Sequence, residues 1–407
     1  MRPSKTTCVL GAVLLLLAVT WVFFHRQLNQ SLSTALLLRS PSPREEVFEQ
    51  LASGLADPTP LLQRCWATAK VPHRQLVASF LRNQATTNPR WFTSAQPLVL
   101  AGTMDPDMSV RELALATLQS RADPNLFQCA RAQLQDPDPL VRQLGLDYLR
   151  KFDAKEGVPV VIGLVDDPDL GVVAGAEVAL MRWTGQDFGV RAHLAIPSGE
   201  TGHQRDPAHV DTIRHGVELR KEWWQVHGQE FPAPATPLSK APRPDFTGPS
   251  VEDFALPDLD GKPVRLSDFG GKTVLINFWA TWCTACLAEI PDLIELRKKF
   301  GDRIVILGIA LDGLPDEHGH QPGEEGGAHH DEWLSRKALM KKVVRAVKDR
   351  GINYPVLMDT EAKVGRRFNG GELPTTIMID SQGHLRRRFI GERTVQAFET
   401  MLAEIGK

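Results

Sequence analysis

Three patterns of apolar and polar positions succeed one another along the chain. The first is a run without a charged residue, Thr7 to Phe24, behind a basic head at Arg2 and Lys5. At about 1.5 Å of rise per residue it would span about 27 Å, close to the ~30 Å hydrocarbon core of a bilayer. It closes on Trp21, Val22, Phe23 and Phe24, an aromatic end that suits a membrane interface. The small residues of a cleavage site, Ser33-Thr34-Ala35, lie well beyond it. The pattern predicts a transmembrane helix over 7–24 with residues 1–6 as a cytoplasmic head, a cleaved signal being the alternative. Either reading puts the body of the chain outside the cytoplasm. It would be held at the cell membrane by a single pass, in the periplasm if the source is bacterial.

The second pattern is helical and repeats. Asp105-Pro106-Asp107, Asp136-Pro137-Asp138 and Asp167-Pro168-Asp169 recur every 31 residues. In phase with them run Val110, Val141 and Val172, then Ala114, Gly145 and Ala176, then Leu118, Leu149 and Leu180. Asp-Pro starts helices, because the carboxylate caps free N–H groups and Pro fits the first turn. Small residues at the middle position let neighbouring helices come close. A weaker copy begins at Asp57-Pro58. Such units stack into an α-solenoid, with a plain helical domain as the alternative. With Val110-Arg111 and Val141-Arg142 after the turns, residues 45–228 resemble HEAT-type repeats. The third copy departs, with Val173 in place of Arg. The segments around Trp183 and Trp223-Trp224 resemble the aromatic tail that closes such arrays. A solenoid offers a binding face for a partner protein and no chemistry of its own.

Residues 229–249 are proline-rich and read as a semi-extended spacer. Beyond them, over 250–407, the third pattern alternates buried-strand runs with helical ones, as in an α/β domain. The whole is multidomain: an N-terminal transmembrane helix, an all-α solenoid and a C-terminal α/β fold.

Charge and cysteine usage narrow the chemistry. Lys plus Arg is 47 against 49 for Asp plus Glu, a net charge of −2, so no basic field drives nucleic-acid binding. Five cysteines in 407 residues exclude a disulfide scaffold. Cys65 and Cys129 fall in apolar helical patterns and read as buried, inert thiols. His193, His203, His209 and His215 lack metal-ligand spacing and read as solvent-facing. Arg386-Arg387-Arg388 reads as the solvated edge of a sheet.

Cys283 and Cys286 stand apart. The apolar run 273–279 reads as a buried strand, and Cys-x-x-Cys with a helical pattern follows it. Cys283 then sits at a helix N-terminus, where the dipole and free N–H groups favour a thiolate. Cys286, one turn later, can attack a mixed disulfide formed at Cys283. The competing reading, half of a zinc site, lacks its other half: no second CxxC or His pair follows at ligand spacing.

On these residues the C-terminal region resembles the thioredoxin superfamily, specifically the membrane-tethered TlpA/ResA-like thiol–disulfide oxidoreductases. Three separated motifs carry the resemblance: residues 254–266 as an N-terminal hairpin, Phe278-Trp279-Ala280-Thr281-Trp282-Cys283, and Gly371-Glu372-Leu373-Pro374-Thr375. It implies a thioredoxin-like fold with catalytic Cys283, Cys286 and Glu289, Glu289 being the acid that moves a proton for Cys286. It also implies substrate binding by Trp282 and by the Leu373 backbone beside a cis Pro374. Asn277 stands where thioredoxins proper carry an Asp. Thr284-Ala285 departs from the common Gly-Pro and Glu-Pro pairs, carrying neither charge nor proline. The Pro-x-x-x-Thr-x-x-Cys surroundings of a peroxidase are absent around Cys283.

The expected activity is disulfide exchange, in the reducing direction, with exported thiol or disulfide proteins and fed by a membrane electron donor. A further protein would bind the repeats, and no nucleic acid would. The redox-active Cys283–Cys286 pair needs no cofactor. One segment leaves a second reading open. Residues 312–332 carry His318, His320, His329 and His330 beside acidic residues, a set that suits Cu, Zn or Ni, or else a flexible hydrophilic insertion. On the metal reading the chain would be a metal-handling or assembly protein.

Overall fold

The computed structural model describes residues 44–188 (apart from 69, 88 and 89), 207–231, 248–314 (apart from 249) and 336–405, together with 35 and 37. The predicted span 7–24, most of the proline-rich spacer and the four histidines at 318–330 lie outside the described residues. Among the described residues no helix is long and apolar enough to cross a membrane.

The chain divides into two compact units, Met1–Leu98 and Val99–Lys407. The first contains α1 (Glu45–Ser53), α2 (Thr59–Ala67) and α3 (Val71–Gln84). Their apolar faces bury Phe48, Leu62, Phe80 and Leu81. Phe48 and Phe80 meet edge-on, with ring centroids 5.8 Å apart. The weaker Asp-Pro copy opens α2, where the Thr59 amide donates to the Asp57 carboxylate. Helix α4 (Phe92–Gly102) follows in sequence.

In the second unit, α5 (Met108–Ser120), α7 (Pro139–Leu149) and α9 (Leu170–Thr184) begin 31 residues apart, each after an Asp-Pro-Asp turn, with α8 (Ala154–Val161) between the last two. In each turn the first Asp accepts from the amide of the second, at 2.9 Å. The second Asp then caps the helix by accepting from an amide of its first turn. The three in-phase sets are buried throughout. Gly145 shows why its position stays small: a Cβ there would lie 2.7 Å from the carbonyl of Ala130 on α6 (Leu126–Gln133). Arg111 of one repeat reaches Asp136 of the next (2.6 Å), and Arg142 reaches Asp167 (2.7 Å). Val173 ends this ladder, since no further Asp-Pro-Asp follows at the same spacing. The stack closes on α10 (Pro207–His227), whose Arg220 is buried against Glu177 at 3.0 Å and lies over the Phe188 ring.

The α/β part opens on a hairpin, β1 (Ala255–Pro257) with β2 (Pro263–Arg265). Its main sheet has five strands in the order β5-β4-β3-β6-β7. These are β3 (Thr273–Trp279), β4 (Ile304–Ala310), β5 (Val356–Met358), β6 (Thr375–Ile379) and β7 (Leu385–Ile390). Strands β3, β4 and β5 run parallel, whereas β6 pairs antiparallel with both β3 and β7. Helix α11 (Thr284–Phe300) follows β3, and α12 (Arg336–Arg350) and α13 (Lys363–Arg367) flank β5. Helix α14 (Val395–Ile405) ends the described chain.

β7 is an edge strand, but its arginines are not solvated, which corrects the expectation for Arg387 and Arg388. Both are buried, and only Arg386, paired with Asp380, keeps partial exposure. The repeat turns cover the edge. The Arg388 amide donates to the Pro106 carbonyl at 3.0 Å, and its guanidinium pairs with Asp107. Arg387 pairs with Asp136 at 2.8 Å. Successive strand residues face opposite sides, so the two turns bracket the edge. Local sequence does not announce this, because the charges that neutralise the arginines come from another part of the chain.

Candidate active site

The centre of the sheet positions the site. β3 is apolar along its length because helices and neighbouring strands cover it, and its only polar inward residue is Asn277. The chain leaves β3 through Ala280-Thr281-Trp282 and enters α11 with Cys283 as the residue that caps it. Cys283 and Cys286 form a disulfide with Cα atoms 5.3 Å apart. The Cys286 amide donates to the Cys283 sulfur at 3.1 Å, so an N–H of the helix start points at the atom that would carry charge as a thiolate. Cys283 retains 7% of its surface and Cys286 1%, which leaves Cys283 as the sulfur within reach of a partner. Trp282 and Leu373 pack half-buried against the core cluster that contains both cysteines. The Leu373–Pro374 bond, just before β6, is cis.

Glu289 lies one turn beyond Cys286 on α11 and is 0% exposed. One carboxylate oxygen accepts from the Asn277 side-chain amide at 2.8 Å, the other from the Arg393 backbone amide at 2.9 Å. Asn277 also donates to Thr376 Oγ1 at 3.1 Å, which locks the amide in one orientation. Burial pushes the Glu289 carboxyl up to about 8, and the Arg393 and Asn277 interactions offset only part of that. Tyr354 is held above its ordinary value chiefly by burial and then by the Glu289 charge. The two remaining described cysteines are different. Burial pushes Cys65 up to about 11 and raises half-buried Cys129 as well, which suppresses their thiolates.

Of the six residues expected at the dithiol, Cys283, Cys286, Trp282 and Leu373 share one core cluster, Glu289 lies one turn further along α11, and Pro374 follows Leu373 through the cis bond. Three further residues were not anticipated. Thr376 and Arg393 complete the setting of Glu289. Asp312, read from the sequence as the start of the His-containing segment, is buried at the end of β4 and accepts from both the amide and the hydroxyl of Thr281. Burial raises its carboxyl despite those bonds. Its position at the carboxyl end of a parallel strand beside β3 was the available signal. Among the described residues no group of three His, Cys, Asp or Glu is placed to hold a metal.

Comparison with known proteins agrees with this geometry. The AhpC/TSA family profile matches residues 247–388, and a HEAT-repeat profile matches 96–181. The thiol-disulfide oxidoreductase ResA of Bacillus cereus is 32% identical over 158 residues, covering 39% of this chain and 78% of that protein. The chain belongs to the ResA-like thiol-disulfide oxidoreductases. The thioredoxin-like protein YneN of Bacillus subtilis is 28% identical over 38% of this chain and 78% of its own length. The crystal structure of StoA from Bacillus subtilis is similar over 39% of this chain and all of that one, at 17% identity and a TM-score of 0.29. This ResA-like chain is therefore a thiol:disulfide oxidoreductase with a thioredoxin-like α/β domain behind HEAT repeats. The family exchanges disulfides with substrate proteins.

Proposed function

We propose that this chain reduces disulfides in exported proteins while tethered to the outer side of a membrane. The Cys283 thiolate attacks a substrate disulfide, forming a mixed disulfide and releasing one substrate thiolate, which takes up a proton. Cys286 passes its proton to the Glu289 carboxylate and attacks the Cys283 sulfur. The second substrate thiolate leaves, and the enzyme is left as the Cys283–Cys286 disulfide. Trp282 and the Leu373–Pro374 segment border the approach to Cys283. A membrane electron donor returns the pair to the dithiol, so the cycle uses no cofactor beyond it.

The observation that carries this reading is Glu289. Its proton affinity, near 8, lies close to that of an ordinary thiol, about 8.5. Two groups so matched exchange a proton with little free-energy change. The tether and the outward location are supported by the charge-free run 7–24 behind Arg2 and Lys5.

Trapping tests the reading. Cys286→Ala in the intact chain is expected to accumulate mixed disulfides through Cys283, and mass spectrometry would identify exported proteins as the partners. Absence of any adduct dependent on Cys283 rejects the exchange reaction. Adducts with cytoplasmic proteins alone reject the location.

A further inference from the structure

Arg393 belongs at once to the dithiol domain and to its contact with the repeats. Its backbone amide donates to Glu289, while its guanidinium, 2% exposed, makes a two-pronged pair with Asp138. Nε meets one carboxylate oxygen of Asp138 and Nη2 the other, both at 2.9 Å. Nη1 donates to the carbonyls of Ile390, Gly391 and Glu392, and the guanidinium lies over the Phe389 ring at 4.4 Å. Asp138 caps α7 of the second repeat. A repeat residue therefore pairs with the residue that presents an N–H to the buried acid beside Cys286.

We propose that Asp138 of the HEAT repeat is a positioning residue for the Glu289 proton relay, acting through Arg393, whose charge it neutralises. The inference rests on the role given to Glu289 above. The groups that face Glu289 are few. Cys286 shares its helix, Asn277 comes from β3 with Thr376 behind it, and Tyr354 precedes β5. Arg393 and Glu392 follow β7. Of these, only Arg393 is tied to the repeats by a buried pair, so the repeats act on the acid through this one cation. Without the Asp138 charge, Arg393 stays anchored by three carbonyls but is no longer neutralised. It then favours ionised Glu289. Without both charges, the acid loses its nearest cation and holds its proton more tightly.

The test is stopped-flow reaction of the reduced full chain with 5,5′-dithiobis(2-nitrobenzoate) as a function of pH. The second phase, identified by its loss in Cys286→Ala, reports Cys286 attacking the Cys283 mixed disulfide. Asp138→Asn is expected to move the midpoint of that phase down by about one pH unit, a tenfold change in proton affinity. The pair Asp138→Leu with Arg393→Met is expected to move it up, and decides the matter alone if Asp138→Asn does not fold. As a control, Asp107→Leu with Arg388→Met removes a neighbouring buried pair of the same contact and should leave the midpoint in place. Glu289→Gln should leave only the titration of the Cys286 thiol itself, with one midpoint in every background. If it does not, the relay reading itself falls. If it does, yet the Asp138 variants sit at the wild-type midpoint or the control shifts equally, only the positioning role of Asp138 is overturned.

Discussion

Asp107 and Arg388, 281 residues apart in the chain, form an ion pair at 3.1 Å in which neither side chain keeps measurable exposure. Taking two charges out of water is costly, and the pair recovers that cost only through good geometry and further bonds. Both conditions hold. Asp107 also caps α5, and Arg388 also donates to the Phe368 carbonyl at 2.8 Å.

Breaking one side strands the other. Asp107→Ala is expected to lower the stability of the full chain by about 3–5 kcal/mol, measured by chemical denaturation. Asp107→Leu combined with Arg388→Met, which removes both charges and keeps volume, should recover most of the loss. A full loss in the double variant would show that the pair itself stabilises the contact.

Asp136 is the carboxylate shared by both kinds of bond, accepting from Arg111 along the repeats and from Arg387 across to β7. Burial pushes its carboxyl up, but the charges of Arg387 and Arg111 outweigh this and hold it below the usual range. The folded state therefore binds fewer protons here than the unfolded chain, and stability rises with pH through the acid range. We expect that contribution to be complete above about pH 4 and lost as pH falls further. Asp136→Asn should flatten this acid limb, as read from urea midpoints across pH 2 to 5.

Glu289 has the opposite sign. Its folded value near 8 exceeds the unfolded carboxyl value of about 4.3, so the folded state holds the proton more tightly. Stability from this group is complete below the unfolded value and declines as pH rises toward 8. The slope is at most about 1.4 kcal/mol per pH unit. Oxidised Glu289→Gln should lose this decline between pH 5 and 8 in the same denaturation measurement.

Only the dithiol should carry turnover. Cys283→Ser is expected to abolish disulfide exchange with a model substrate such as insulin. Cys65→Ser and Cys129→Ser should leave the rate within about twofold, because their suppressed thiolates take no part. Equal activity in Cys283→Ser would remove the assigned nucleophile.

Much of the site was readable residue by residue. Cys283, Cys286 and Glu289 occupy one helical stretch after a buried strand, and the three-residue steps that align them are local facts. The proline at 374 was readable for a different reason: an ordered series of motifs implied it. Asn277 was noticed only as a substitution for an expected acid, and its bond to Glu289 depends on how β3 meets α11. Arg386 to Arg388 misled because a run of arginines on an edge strand ordinarily faces water. The aspartates that bury two of them stand more than 250 residues earlier, in turns that looked complete as helix caps.

By itself, the sequence determined the repeats and the dithiol, because hydrophobic period, Asp-Pro capping and CxxC spacing each act within a few turns of chain. Only the tertiary structure decided that the repeat turns seal the edge of the sheet. It alone also decided that Glu289 is wholly buried, with Asp138 behind the Arg393 that faces it. Burial and the pairing of distant charges belong to the assembled molecule. No local window of residues contains the desolvation that raises one carboxyl, or the guanidinium groups that lower another.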